Sequence, residues 1–99
     1  MNIVEETLVF KINNNHDFGS LKINSDIRHF IADVSDTELD IINSIKDKFI
    51  TFGDNISKMN GSFVIISRFS FSDSLTIVPT LQEAYDYIEL EEIERQLNL

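Results

Sequence analysis

The sequence has no cysteine, no tryptophan, one proline and three glycines among 99 residues. The absence of cysteine excludes disulfides, thiolate catalysis and cysteine-ligated metals, and it is typical of a reducing compartment. No apolar run approaches the roughly 18–20 residues that span a bilayer. Glu5 and Glu6 lie where a secretory signal peptide would carry Lys or Arg. We therefore expect a cytoplasmic protein with no membrane-spanning helix.

Positive charge is also scarce. Eight Lys and Arg face seventeen Asp and Glu, so the net charge is −9 at pH 7. Nucleic-acid affinity comes largely from Lys and Arg that displace counterions from phosphates, and here the basic residues are scattered among acids. This balance predicts no nucleic-acid partner and no association with an anionic membrane surface.

Apolar residues are present in ordinary amounts. Hydrophobic residues make up 42% of the chain and charged residues 25%, which are typical proportions for a globular protein. The length suits one hydrophobic core, and no linker or repeat divides the sequence. We expect a single domain over residues 1–99.

The first half of the chain predicts two strands and a long helix. Residues 7–12 alternate as a strand does, and residues 29–34 form an apolar run typical of a strand buried on both faces. Between them, residues 13–17 predict a turn, and residues 18–23 suit either a strand or a short helix. Ser35, Asp36 and Thr37 have the side chains that cap helices. The helix stripe comprises Leu39, Ile42, Ile45, Phe49, Phe52, Ile56 and Met59.

Two glycines bear on the shape of this helix and on where it ends. Gly53 predicts a bend or a break, because Gly costs about 1 kcal/mol relative to Ala inside a helix. Asn60 and Gly61 predict its end.

The second half predicts two more strands and a final helix. Residues 62–66 read as a buried strand and residues 75–78 as another, which Pro79 ends. Thr80 and Glu83 have the spacing of a capping box. The expected inner face of the final helix comprises Leu81, Ala84, Tyr85, Ile88, Ile93 and Leu97.

The order of these elements predicts an α/β fold with helices packed against a mixed, mainly parallel sheet of about four strands. We expect residues 29–34, 63–66 and 75–78 to be parallel neighbours. The link over residues 67–74 is short for a parallel crossover, which usually takes a dozen residues or more.

Two motifs resemble a known family. The segment FIADVS (residues 30–35) is similar to the central strand of STAS domains, which are named for sulfate transporters and anti-sigma factor antagonists. The segments IVPTLQEA (residues 77–84) and EEIER (residues 91–95) resemble the end of a group of small bacterial STAS-like proteins. The resemblance covers roughly residues 29–97. It implies a STAS-like domain that acts by binding another protein, as a regulatory module and not as an enzyme.

The resemblance also implies where a partner binds. STAS domains generally meet partners through the loop after the central strand and the helix that follows. The matching residues are Ser35, Asp36, Thr37, Asp40, Asn43 and Ser44. Anti-sigma factor antagonists carry a phosphorylatable Ser in a D-S-[SA]-G-L motif here, and LDIINS (residues 39–44) lacks it. The region between the first and central strands is also shorter than in the family.

Catalytic and metal sites have little support. Some members of the similar group carry the label ribonuclease Z, an activity that needs a dense His and Asp cluster for zinc. This chain has two histidines, His16 and His29, on different predicted elements. Asp33, Asp36, Glu38 and Asp40 surround one loop, where helix capping explains them better than paired-carboxylate catalysis. We expect no metal, no cofactor and no catalytic residue.

Two features leave alternatives open. The acids of residues 80–99 are typical of a solvated helix face, and alternatively form a docking surface for a basic protein. Phe69 and Phe71 are either core anchors or a recognition patch. The alternatives to a protein-binding module are a small ligand-binding domain or enzyme of unknown chemistry, and a homodimeric assembly module.

Overall fold

The computed structural model describes residues 6–12 and 26–97. Within these ranges the chain forms β1 (Thr7–Lys11), β2 (His29–Asp33), α1 (Leu39–Lys58), β3 (Ser62–Ile66), β4 (Ile77–Val78) and α2 (Leu81–Leu97). The predicted turn over residues 13–17 and the ambiguous element over residues 18–23 lie outside the described residues. No helix in the described ranges is both long enough and apolar enough to cross a membrane.

The strands form one sheet in the order β1-β2-β3-β4, and every pairing is parallel. Thr7 pairs with His29, and His29 pairs with Ser62, so the first three strands begin at the same edge. We call this the amino edge of the sheet and the opposite side the carboxyl edge. The predicted α/β class is confirmed, as are the parallel neighbours β2, β3 and β4.

The two faces of the sheet are covered by different helices. On one face, Phe30 and Ala32 of β2 pack in a cluster with Ile42, Phe49 and Ile56 of α1. On the other face, Ile31 and Val64 pack with Ala84 and Ile88 of α2. Adjacent residues of a strand point to opposite faces. The apolar runs over residues 30–32 of β2 and 63–66 of β3 are therefore what a two-sided core requires.

Helix α1 runs continuously through Gly53, so the predicted break is wrong. Its C-terminus is a Schellman motif, in which the amides of Asn60 and Gly61 donate to the carbonyls of Ser57 and Ile56. Asn60 takes the left-handed conformation with φ of 60°. Gly61 is required for a different reason, because a Cβ there would lie 1.9 Å from the Arg28 carbonyl oxygen.

The predicted N-terminal caps of α1 are wrong. The N-cap residue is Glu38, and its side chain makes no capping hydrogen bond. Ser35 and Thr37 fail to cap because their hydroxyls bond to Asp33 and to the Ile12 carbonyl instead. Asp36 pairs with Lys11.

The link between β3 and β4 spans residues 67–76 and contains no helix. It crosses the α1 side of the sheet, where Phe71 and Leu75 pack against the core cluster. Phe71 is therefore a core anchor, which was one of the two alternatives that the sequence left open for it. The short link is compatible with a parallel pairing because β4 pairs only with the last two residues of β3, so the chain does not return to the amino edge before β4 begins.

Helix α2 begins as predicted and keeps part of the predicted inner face, since Ala84 and Ile88 are buried, but Leu81 is exposed. The Thr80 hydroxyl accepts a hydrogen bond of 3.2 Å from the Glu83 amide, as an N-cap does. The buried residues are Ala84, Ile88 and Glu92. The prediction that Ile93 and Leu97 lie on the inner face is therefore wrong.

Candidate functional site

The loops that follow β2 and β3 meet at the carboxyl edge and form an open concavity. The amide of Val34 donates to the carbonyl of Ile66 at 3.0 Å, which joins the two loops at their start. The cavity has a volume of about 450 Å³, and we call its lining the carboxyl-edge surface: Ser35, Asp36, Thr37, Glu38, Leu39, Arg68 and Phe69. This surface contains half of the residues that the sequence nominated for partner contact.

The loop after β2 is held by side chains that bond to the backbone. The Asp33 carboxylate accepts hydrogen bonds from the Ser35 amide at 2.9 Å and from the Ser35 hydroxyl at 2.6 Å. The Thr37 hydroxyl donates to the carbonyl of Ile12, just beyond the end of β1. Backbone contacts of this kind fix a loop conformation, so the carboxyl-edge surface is preorganised.

The structure places the nominated contact residues in two environments. Asp36, Asp40, Asn43 and Ser44 are exposed, which agrees with the expectation that residues off the α1 stripe face solvent. Thr37 is 3% exposed, and its hydroxyl is engaged with the backbone. Thr37 therefore lies beneath the surface and exposes almost no area to a partner. This corrects the expectation that Thr37 contacts a partner directly.

Charge on this surface is partly paired. Lys11 Nζ lies 2.5 Å from Asp36 Oδ2, and both side chains are mostly exposed. The hydrogen bond and the attraction from Asp36 raise the pKa of Lys11, and the same contact lowers the pKa of Asp36. Both groups therefore stay charged at neutral pH. The pair is exposed, so it adds little stability, and it presents a fixed dipole to the solvent.

Two apolar side chains on this surface were not among the partner contacts that the family resemblance implied. Leu39 is 41% exposed and Phe69 is 38% exposed, and both line the concavity. The Arg68 guanidinium lies 5.7 Å from the centre of the Phe69 ring. Leu39 was assigned to the buried stripe of α1 because it has the right spacing. For Phe69 the sequence did carry a signal, because a recognition patch that included Phe69 was one of the two alternatives for its role.

A buried ion network lies at the opposite, amino edge of the sheet. The Glu92 side chain is almost fully buried, and its Oε1 accepts from Arg95 Nη1 at 2.6 Å and from Arg28 Nη2 at 3.2 Å. Arg95 Nη2 also donates to the Gly61 carbonyl at 2.6 Å and to the Ser62 hydroxyl at 3.0 Å. The sequence predicted that Glu92 lies on a solvated acidic face of the helix. This prediction is wrong for Glu92. The network ties α2 to the starts of β2 and β3.

His29 lies within this network and is fully buried. Its Nδ1 accepts a hydrogen bond of 3.2 Å from the Ser62 amide, which places the proton of the neutral ring on Nε2. Nε2 lies 3.5 Å from Glu92 Oε1 and makes no hydrogen bond within the part of the chain that the structure describes. Burial lowers the pKa of His29, and the attraction of Glu92 only partly opposes this effect. His29 is therefore neutral at pH 7.

A second concavity lies beside this network, between α1, α2 and the β3–β4 link. Its volume is about 220 Å³. Hydroxyl groups of Ser57, Ser62, Ser74 and Thr76 line it together with Arg95. Arg95, Ser62 and Thr76 already make hydrogen bonds, so the polar groups left for a ligand are mainly the hydroxyls of Ser57 and Ser74 and the carboxylate of Asp54.

No matching protein family, no similar curated protein and no similar solved structure was found for this chain.

In residues 6–12 and 26–97, no three His, Asp or Glu side chains are grouped as metal ligands would be. The loop carboxylates are separated by their contacts: Asp33 holds the Ser35 loop, Asp36 pairs with Lys11, and Asp40 accepts from the Ile41 amide. What this arrangement offers chemically is a preorganised, partly apolar surface at the carboxyl edge.

Proposed function

We propose that this chain is a non-catalytic, STAS-like protein-binding module whose partner docks on the carboxyl-edge surface. The observation that supports the proposal is that Leu39 and Phe69, both more than a third exposed, line one concavity. Exposed apolar side chains surrounded by charged ones are typical of protein–protein interfaces. The module would act in the cytoplasm, as the cysteine-free composition favours.

The charges of this region favour a partner with a basic rim. Asp36, Glu38 and Asp40 carry negative charge around the start of α1, and Arg68 is the cation that lines the concavity. Lys or Arg side chains of a partner would therefore be attracted to the α1 side of the surface. Complementary charges of this kind chiefly raise the association rate and the specificity of a complex.

A charge-reversal pair tests the proposal. In the variant Asp40→Lys with Ser44→Lys, both changes lie on exposed positions of α1 next to the proposed surface. The free energy of unfolding should change by no more than about 0.5 kcal/mol per substitution. Recovery of a partner from the native cell, quantified by mass spectrometry, should fall strongly, because like charges at an interface oppose binding.

The matched control is Asp47→Lys with Thr51→Lys. It makes the same change in charge on the same side of α1, two turns further from the carboxyl edge, and both residues are exposed. This control should recover the partner as the unchanged protein does. Equal recovery with both variants, at unchanged thermal melts, would contradict docking at the carboxyl edge.

Binding of a small ligand is the second candidate function. It is favoured by the second concavity, which lies beside the ion network and which we call the amino-edge cavity. Four hydroxyl side chains line a volume of about 220 Å³, a chemistry suited to a small polar molecule. Ligand pockets usually measure about 300–1,000 Å³, so this cavity is small for the role. Saturable shifts of backbone resonances around Ser57 and Thr76, in a screen of small polar compounds, would favour this candidate.

A further inference from the structure

Helix α2 has a second apolar stripe on the side that faces away from the sheet. Leu90, Ile93 and Leu97 are 59%, 47% and 78% exposed. They are three and four residues apart, so they lie on one side of the helix. The opposite side packs on the sheet through Ala84 and Ile88. We call the three exposed residues the outer stripe.

Acidic side chains border the outer stripe. Glu89 and Glu94 are exposed and lie on opposite flanks of it, because each successive residue turns a helix by about 100°. Asp86 is exposed and continues the line of the stripe toward the start of α2. The outer face of α2 is therefore an apolar strip between two negative margins.

Among the described residues of α2, no outward-facing basic side chain offsets these margins. Arg95 is the basic residue of this helix, and its guanidinium is turned inward, where it bonds to Glu92, Gly61 and Ser62. A second copy of this helix would place carboxylates against carboxylates, which opposes association. The charge pattern thus disfavours self-pairing of α2 and favours a basic partner.

We infer that the outer face of α2 binds an amphipathic helix of another protein, one whose apolar stripe is flanked by Lys or Arg. The apolar side chains of such a helix would cover Leu90, Ile93 and Leu97, and its basic margins would lie against Glu89 and Glu94. Helix-on-helix contacts with charged flanks commonly work this way. The 17 residues of α2 provide a face about 25 Å long. This surface lies on a different element from the carboxyl-edge surface and does not depend on it.

Designed peptides test this inference with the intact chain. One labelled peptide carries Leu at helical spacing with flanking Lys, and a second carries the same Leu residues with flanking Glu. The basic peptide should bind saturably by fluorescence anisotropy, shift the resonances of α2, and bind more weakly as salt increases. The acidic peptide should not bind.

Paired variants separate stripe binding from general charge attraction. Leu90→Gln with Leu97→Gln should weaken the basic peptide about tenfold or more, since buried apolar contacts carry most of the energy of an interface. Glu89→Gln with Glu94→Gln should weaken it less and should reduce its salt dependence. Leu39→Gln, which removes an exposed apolar side chain at the carboxyl-edge surface, should leave the affinity unchanged.

Four results would overturn the inference. The first is no saturable binding of the basic peptide. The second is binding that Leu90→Gln with Leu97→Gln does not weaken, which would mean charge attraction alone. The third is concentration-dependent dimerisation of the unchanged chain that this pair of substitutions abolishes, which would assign the outer stripe to a second copy. Loss of peptide binding in Leu39→Gln would place the peptide on the carboxyl-edge surface instead.

Discussion

His29 is a buried base whose protonation conflicts with its hydrogen bond. A second proton would have to go on Nδ1, which accepts from the Ser62 amide at 3.2 Å. Burial lowers the pKa of His29 below its ordinary value of 6.5, and Arg28 and Arg95 lower it further, while Glu92 and Glu6 oppose them. The unfolded chain therefore binds a proton at a higher pH than the folded chain does.

We predict that the free energy of unfolding falls as the pH decreases from about 7 through the lowered pKa of His29, and that His29 supplies part of this fall. The variant His29→Asn keeps an acceptor for the Ser62 amide and removes the titrating group. Urea unfolding at several pH values should show a shallower pH dependence for this variant, while His16→Asn is measured in parallel as the control. An equal slope in His29→Asn and the unchanged protein would contradict the prediction.

Glu92 compensates the charges of two arginines with one buried carboxylate. We predict that Glu92→Ala lowers the free energy of unfolding by about 3 kcal/mol, the lower end for breaking a buried ion pair, because Arg28 and Arg95 remain partly exposed. The matched control is Glu91→Ala, one residue earlier and more exposed, which should cost less than about 1 kcal/mol. Chemical denaturation of both variants measures the difference. Equal losses would mean that the network contributes no more than a surface pair.

The stability of the start of helix α2 depends in part on one hydroxyl group. The variant Thr80→Ala removes the group that accepts from the Glu83 amide, so we predict a loss of about 0.5–2 kcal/mol. Thr80→Ser, which keeps the hydroxyl, should restore most of it. Thr51→Ala, an exposed Thr inside α1, should be neutral or slightly stabilising because Ala favours helices. An unchanged urea midpoint for Thr80→Ala would contradict the capping role.

Elements with local signals could be predicted from the sequence. Strands β2 and β3 each contain a continuous apolar run because both faces are covered, and this pattern was sufficient to locate them. The end of α1 was also predictable, since Asn60 adopts the left-handed conformation more readily than most residues.

The orientation of α2 could not be predicted, because its sequence offers two apolar stripes. Periodicity alone does not decide whether Ile88 is followed on the inner face by Glu92 or by Ile93. Glu92 faces inward because Arg28, 64 residues away, lies at the start of β2 and pairs with it. The wrong caps of α1 have a similar cause, since the Thr37 hydroxyl bonds to Ile12, 25 residues away.

At the scale of the whole molecule, the two edges of the sheet differ in character. At the amino edge, the buried carboxylate of Glu92 pairs with two partly exposed guanidinium groups, which ties α2 to the sheet. The carboxyl edge presents Leu39, Phe69 and unburied charge around an open concavity. Ligands of parallel α/β sheets generally bind beyond the carboxyl ends of the strands. The position of the proposed docking surface therefore agrees with the general behaviour of this sheet type.

The lack of suitable zinc ligands predicts that the chain binds no stoichiometric zinc. Zinc sites need three or four Cys, His or carboxylate ligands, and this chain has no cysteine and two histidines. His29 is an unsuitable ligand, because its Nδ1 is bonded to the Ser62 amide and its Nε2 lies near Glu92, which already pairs with two guanidinium groups. Those two positive charges would also repel a cation. Elemental analysis after dialysis should give far less than one zinc per chain, and the pure protein should not cleave a pre-tRNA. About one tightly held zinc per chain, or turnover of that substrate, would contradict the proposed non-catalytic role.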